Sequence, residues 1–153
     1  MTEPRVGILI GSESDRETME VCLRQLQELD VEAELMISSA HRNPERTREY
    51  ARTAESRGLR VLIAGAGVAA HLAGALASES LLPVIGVPMA SGALQGLDAL
   101  LATVQMPRGV PVATLAIGKA GAANAAILAA QILALEDTAI RTKLLAMRRE
   151  WAK

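Results

Sequence analysis

The chain has 153 residues, a formal net charge of −1, one Trp, one Tyr and no Phe. This is enough chain for one domain with an aliphatic core, but it offers no broad positive field for nucleic acid and almost no aromatic surface for stacking bases. The single cysteine, Cys22, excludes an internal disulfide; among helix-patterned neighbours it reads as a small buried hydrophobe suited to a reducing cytoplasm.

Met1 to Arg5 has no signal-peptide pattern and leads into a β-branched run, Val6–Ile10, the first predicted strand. Gly11-Ser12-Glu13-Ser14-Asp15 follows, immediately before a helical pattern at about 15–29. Ser14 or Asp15 can cap that helix. Ser12, Ser14 and Asp15 can also bond a ligand, and free N–H groups at a helix start favour a phosphate. The apolar run Val31 to Ile37 holds a second predicted strand, Ala33–Ile37, and ends in Ser39-Ala40-His41-Arg42. Asn43-Pro44-Glu45 then opens a helix over about 44–57. The Ser39–Arg42 loop pairs histidine, which gives and takes protons near neutral pH, with an arginine fork suited to phosphate or carboxylate.

The third predicted strand, Val61–Ala64, runs into Gly65-Ala66-Gly67-Val68-Ala69-Ala70-His71 and a helix at about 69–79. The glycines formally satisfy a dinucleotide fingerprint. However, the motif follows the third strand, and no acidic residue ends the next one to hold a ribose. The spacing instead lets a ligand approach the backbone. His71 falls in the first turn of the following helix, where packing, capping and catalysis all stay open. A fourth strand, Val84–Val87, ends in Pro88-Met89-Ala90-Ser91-Gly92 before a helix at about 93–103. Gln105-Met106-Pro107-Arg108-Gly109 precedes a fifth, Val112–Ala116, which Ile117-Gly118-Lys119-Ala120-Gly121 follows. Gly118-Lys119 is not a P-loop, because Ala113 stands for its first glycine and Ala120 for its Ser/Thr. The helical pattern from about 119 to 135 is alanine-rich but carries Asn124 and Gln131 and lacks basic flanks, so it reads as buried and not as a membrane span. A last segment, Glu136 to Trp151, sets Ile140, Leu144, Leu145 and Met147 against a charged face.

Near-continuous apolar strands alternating with helices predict a single catalytic domain over 1–153. Its class is α/β: a three-layer α/β/α sandwich around a parallel, doubly wound, flavodoxin- or Rossmann-like sheet, with a C-terminal helix extension. Parallel strands bring their C-terminal ends, and the loops that leave them, to one edge. That edge gathers small residues, phosphate ligands and a proton carrier. The chemistry this suits is proton transfer on a small phosphorylated substrate, without metal or redox cofactor. Two histidines and one cysteine on separate elements give no metal spacing, and the Gly-x-Ser-x-Gly elbow of a serine hydrolase is missing.

Taken in order, Gly-Ser-x-Ser-Asp at 11–15, Ser-Ala-His-Arg at 39–42, Gly-Ala-Gly-x-Ala-Ala-His-Leu at 65–72 and Gln-Met-Pro-Arg-Gly at 105–109 lead to Leu-Ala-Ile-Gly-Lys-Ala-Gly-Ala-Ala-Asn-Ala-Ala at 115–126. This series resembles the 5-(carboxyamino)imidazole ribonucleotide mutases of de novo purine synthesis, the catalytic subunits of phosphoribosylaminoimidazole carboxylase. The resemblance implies transfer of a carboxylate from an exocyclic nitrogen to ring carbon 4 of an aminoimidazole ribonucleotide, with no metal, ATP or organic cofactor. It implies that His41 is the general acid/base. Ser12 and Asp15 then bind substrate, Asp15 at the ribose hydroxyls, while Arg42 with Ser14 and Ser39 takes the 5′-phosphate and Ala40 completes that loop. Gly65, Ala66 and Gly67, with His71 and Leu72, close over the imidazole and the carboxyl group. A cytoplasmic homo-octamer is expected as well. Eight alanines from Ala120 to Ala134 offer little side-chain area and suggest burial between subunits.

The family often has Trp where Arg16 stands, Gly where Val68 stands and Pro where Ala73 stands. Arg16 and Ala73 should alter packing locally, and Val68 the backbone of the carboxylate loop. The competing readings are direct carboxylation of aminoimidazole ribonucleotide by carbon dioxide, a non-catalytic nucleotide-phosphate module, and a structural oligomerisation domain. Arg42, where the carboxylating branch tends to have Lys, and Ala69-Ala70-His71-Leu72 favour the mutase.

Overall fold

Five parallel strands in the order β2-β1-β3-β4-β5 form the centre of the molecule. The computed structural model describes residues 3–153; Met1 and Thr2, on which the leader reading partly rests, lie outside the described residues. The strands are β1 (Val6–Ile10), β2 (Ala33–Ile37), β3 (Val61–Ala66), β4 (Val84–Pro88) and β5 (Ala113–Thr114). Between and after them run α1 (Arg16–Glu28), α2 (Pro44–Ala54), α3 (Leu72–Glu79), α4 (Leu97–Val104), α5 (Lys119–Leu133) and α6 (Thr138–Trp151).

Alternation along β1 sorts the two helical layers. Val6, Ile8 and Ile10 pack with Met19, Cys22 and Leu26 of α1 and with the alanines of α5, whereas Leu9 faces the opposite layer beside Tyr50, Ala51 and Ala54 of α2. Every residue of β1 is buried, as a central strand covered on both faces requires. Full burial of an Ile or Leu side chain stabilises by about 1.5–3 kcal/mol, so this strand anchors the fold. α5 turns Ala122, Ala125, Ala126, Ala129 and Ala130 inward with no exposed surface. The alanine-rich face that suggested burial between subunits is therefore covered by the chain itself, and its small side chains let α5 approach α1 and the sheet closely.

The order 2-1-3-4-5 places a topological switch between β1 and β3, where connections depart in opposite directions. β1 pairs with both neighbours in register, Ile10 opposite Ile37 on one side and Gly65 on the other. The loops after β1, β2 and β3 therefore leave the sheet side by side.

Several element ends differ from the sequence expectation for local reasons. α3 begins at Leu72 and not near 69, because Val68, Ala69 and Ala70 are held in tight turns, Ala70 N–H to Val68 O at 3.0 Å and His71 N–H to Ala69 O at 2.9 Å. α4 begins at Leu97 and not near 93, since Gln95 (φ 51°) and Gly96 (φ 94°) are left-handed. β5 is only Ala113–Thr114, an edge strand preceded by Pro111, which has no N–H to donate. Asp137 accepts from the N–H groups of Ala139 and Ile140 and so delays α6 to Thr138. The same carboxylate meets Arg5 at 2.7 Å, tying α6 to the start of β1.

The two large aromatic side chains occupy contrasting places. Tyr50 is 7% exposed, donates to Glu34 Oε1 at 2.6 Å, and lies 4.6 Å beneath the Arg57 guanidinium. Burial first, then the Glu34 carboxylate, pushes its phenol above the ordinary range. Trp151, by contrast, is 65% exposed at the end of α6.

Candidate active site

A cavity of about 220 Å³ opens at the C-terminal edge of the sheet, over the switch between β1 and β3. Its walls come from four loops, those after β1, β2, β3 and β4. The first turns of α1, α2 and α3 start at the same edge, so their free N–H groups and positive dipole ends lie on the side where an anion would be held.

The loop after β1 contributes Gly11, Ser12, Ser14 and Asp15. Ser12 caps a short 3-10 turn, Glu13–Asp15, that precedes α1: its Oγ accepts from Ser14 N–H at 3.4 Å and from Ser14 Oγ at 3.0 Å. Asp15 stands at the N-cap position of α1 but makes no side-chain cap bond. It is 8% exposed, and burial pushes its carboxyl above the ordinary range, an effect partly offset by a backbone hydrogen bond from Ser12. Arg16 leans back to Glu13, with Nε 2.6 Å from Oε1, and exposes its charge away from the core.

The loop after β2 contributes Ser39, Ala40, His41 and Arg42. It is a built turn: Ser39 Oγ accepts from Arg42 N–H at 3.1 Å, and Asn43 N–H donates to Ser39 O at 2.9 Å. Asn43 then caps α2 by accepting from Arg46 N–H, with Pro44 in the first helical turn. Behind it, the buried hydroxyls of Ser38 and Thr47 meet at 2.8 Å and tie the loop to the helix. His41 and Arg42 stand exposed on this rigid base.

The loop after β3 contributes Ala66, Gly67, Val68, Ala69, His71 and Leu72. Gly65 is one step behind the wall. It is buried within β3, where a Cβ would stand 2.8 Å from both Met19 and Met89, so its missing side chain serves packing. Val68 has φ 55°, the left-handed region in which a glycine is at ease and a β-branched residue costs about 1–3 kcal/mol. Ala73, the second residue of α3, is buried against the sheet.

His71 sits at the N-cap position of α3 without a side-chain cap bond, which removes the capping reading. Its Nδ1 lies 2.6 Å from His41 Nε2, with the ring planes at 77°. The chain's two histidines, 30 residues apart, thus form one hydrogen-bonded pair in the cavity wall.

Ser91, from the loop after β4, completes the lining and was not singled out by the sequence. The available signal was the same one that marked the other loops, a small polar residue just past a strand's C-terminal end. An ideal Cβ on Gly67 would fall 2.1 Å from Ser91 Oγ, so these two loops touch only because Gly67 has no side chain. The 105–109 segment does not reach the cavity: β5 runs parallel to β4, which puts the residues before it at the opposite edge. Lys119, at the start of α5, is engaged by Glu17 at 2.8 Å and also lies outside the lining.

Comparison with known proteins gives a consistent result. A family model described as AIR carboxylase matches residues 5–153. An N5-carboxyaminoimidazole ribonucleotide mutase of Bacillus subtilis (strain 168) is 57% identical over 142 residues, which span 93% of this chain and 88% of that protein. The mutase of the same name from Pyrococcus abyssi (strain GE5 / Orsay) is 55% identical over 141 residues, 92% of this chain and 80% of that one. A crystal structure of PurE from Treponema denticola has a TM-score of 0.87 at 28% identity, covering 97% of this chain and 92% of the other.

Proposed function

The chain belongs to the AIR carboxylase family, and on that premise we propose that it is a mutase of purine biosynthesis acting on N5-carboxyaminoimidazole ribonucleotide. It moves the carboxylate from the exocyclic nitrogen to ring carbon 4 and adds no atoms to the substrate. The observation that carries this reading is the loop after β2, which sets His41 beside Arg42 in the wall of the cavity that Asp15 also lines.

In this reading Arg42, with Ser14 and Ser39, takes the 5′-phosphate through charge-assisted hydrogen bonds, and Ser12 and Asp15 take the ribose. His41 delivers a proton to the carbamate nitrogen. The N–C bond breaks, carbon dioxide leaves, and an electron-rich aminoimidazole remains. Ring carbon 4 attacks the carbon dioxide, and the resulting sp³ centre returns its proton to His41, so one group acts as acid and then as base. Ala66, Gly67, His71 and Leu72 lie over the imidazole and keep carbon dioxide from escaping into water.

The finer reading places eight copies of the chain together in the cytoplasm. Supporting assembly, Leu94, Leu97, Leu101 and Val104 stand about half exposed at helical spacing along and just before α4. The buried, unpaired Cys22 suits a reducing compartment, and no helix among the described residues is long and apolar enough to cross a membrane.

The test is conversion of the carboxyamino ribonucleotide, followed by ultraviolet absorbance, in chelator and without bicarbonate or ATP. Turnover under those conditions is expected. If product forms only from aminoimidazole ribonucleotide supplied with bicarbonate, the carboxylating reading replaces this one.

A further inference from the structure

We propose that His71 is a positioning residue that holds His41 Nε2 in place through one hydrogen bond until substrate takes its place. The inference rests on the reading of His41 as the proton carrier. It starts from a plain constraint: at 2.6 Å, the space between His41 Nε2 and His71 Nδ1 holds one hydrogen, neither two nor none. One ring donates and the other accepts. That bond fixes where His41 Nε2 points.

The contacts of His71 leave its ring to this one bond. The backbone of His71 is committed, N–H to Ala69 O and C=O to Ala75 N–H, and its side chain has one protein partner among the described residues, His41. His41 likewise has this one side-chain partner for its ring among the described residues, so each histidine holds the other in the cavity wall. The other charged groups lining the cavity are Asp15, from the loop after β1, and Arg42, from His41's own loop; neither is hydrogen-bonded to either ring among the described residues.

The consequence for the reaction is direct. When the exocyclic nitrogen of the substrate replaces His71 Nδ1, His41 Nε2 already points at the atom to which it passes its proton. The proton from ring carbon 4 later returns to Nε2, and on product release His71 takes up its bond again. Protons balance over the cycle, and His71 exchanges no proton with the substrate.

The chain has only two histidines, so the test is unusually clean. Histidine side-chain nitrogen NMR of the free protein should show a coupling between His41 Nε2 and His71 Nδ1 across their hydrogen bond, lost in His71→Asn and in His41→Asn. Absence of that coupling in the wild type overturns the proposal whether or not the protein is a mutase. Turnover gives the second arm. His71→Ala, which removes the partner, should lower kcat about 2–10-fold, the loss expected for one hydrogen bond, with KM nearly unchanged. His71→Asn, whose Oδ1 stands near the lost Nδ1, should recover most of that loss. A His71→Ala protein with wild-type kcat, or a His71→Asn protein no better than it, rejects the role; circular dichroism confirms that each variant folds.

Discussion

Gly67 and Ser91 join the loops after β3 and β4, and replacing Gly67 with Ala tests how tightly the wall of the cavity is set. The new Cβ would lie 2.1 Å from Ser91 Oγ, 3.2 Å from Met89 Cβ and 3.4 Å from Ser91 Cβ. Carbon atoms pack best at about 3.5–4.0 Å, so the first contact is impossible, while the other two need only a few tenths of an ångström. The Ser91 hydroxyl can rotate away, which limits the cost of Gly67→Ala to the range for overpacking, about 1–3 kcal/mol. Replacing Ser91 with Ala removes the offending oxygen. In that background Gly67→Ala should cost less by about 1–2 kcal/mol, a coupling typical of residues in direct contact. Urea unfolding of the four proteins, at one fixed protein concentration, measures the cycle. If Gly67→Ala costs the same in the wild-type and Ser91→Ala backgrounds, the two loops do not meet as described. The KM for the ribonucleotide should rise in Gly67→Ala and fall back in the double variant, because the displaced loop carries His71 and Leu72.

Two further outcomes follow from the same site. His41→Asn should lower turnover by about 10²–10⁴ if His41 is the acid/base, while ligand affinity measured by calorimetry persists through Ser12, Asp15 and Arg42; near-normal turnover in a folded protein would move the proton chemistry to another group. Asp15→Asn should raise stability at pH 7, because burial holds the folded carboxyl above its ordinary value. Such a group favours folding while protonated, and that contribution is lost as pH rises through the raised pKa. The advantage of the Asp15→Asn variant should therefore be present at pH 7 and disappear below the ordinary carboxylate range; a lower urea midpoint at pH 7 contradicts this account.

The strands were legible because each falls in a short, mostly apolar run, and their parallel order followed from alternation with helical patterns. The loops after β1, β2 and β3 were legible for a related reason: parallel pairing leaves no other edge for their polar residues. What remained hidden depended on contacts distant in sequence. His41 and His71 could be assigned to one edge, but their hydrogen bond depends on the turns at Val68–Ala70 that hold α3 back to Leu72. Gly65 looked like a ligand-facing glycine, yet it answers to Met19 and Met89. The alanines of α5 suggested a surface between subunits because composition does not say which partner covers a face; here α1 and the sheet do. Helix starts at α3 and α4 were misplaced where Val68, Gln95 and Gly96 take left-handed backbone, which no propensity of Val or Gln announces.

The placement of the two aromatic residues splits the protein's intrinsic optical signals. Tyr50 sits in the layer between α2 and the sheet, while Trp151 ends α6 in solvent. Tryptophan emission therefore stays water-like in the folded single chain and is nearly silent to melting of the interior. It shifts to the blue only when something covers the end of α6. The tyrosine band does the opposite, since its buried phenol ionises at ordinary alkaline pH only after the interior has opened. One chromophore thus reads encounter at the C-terminal helix and the other reads integrity of the fold, in a single sample and without a label.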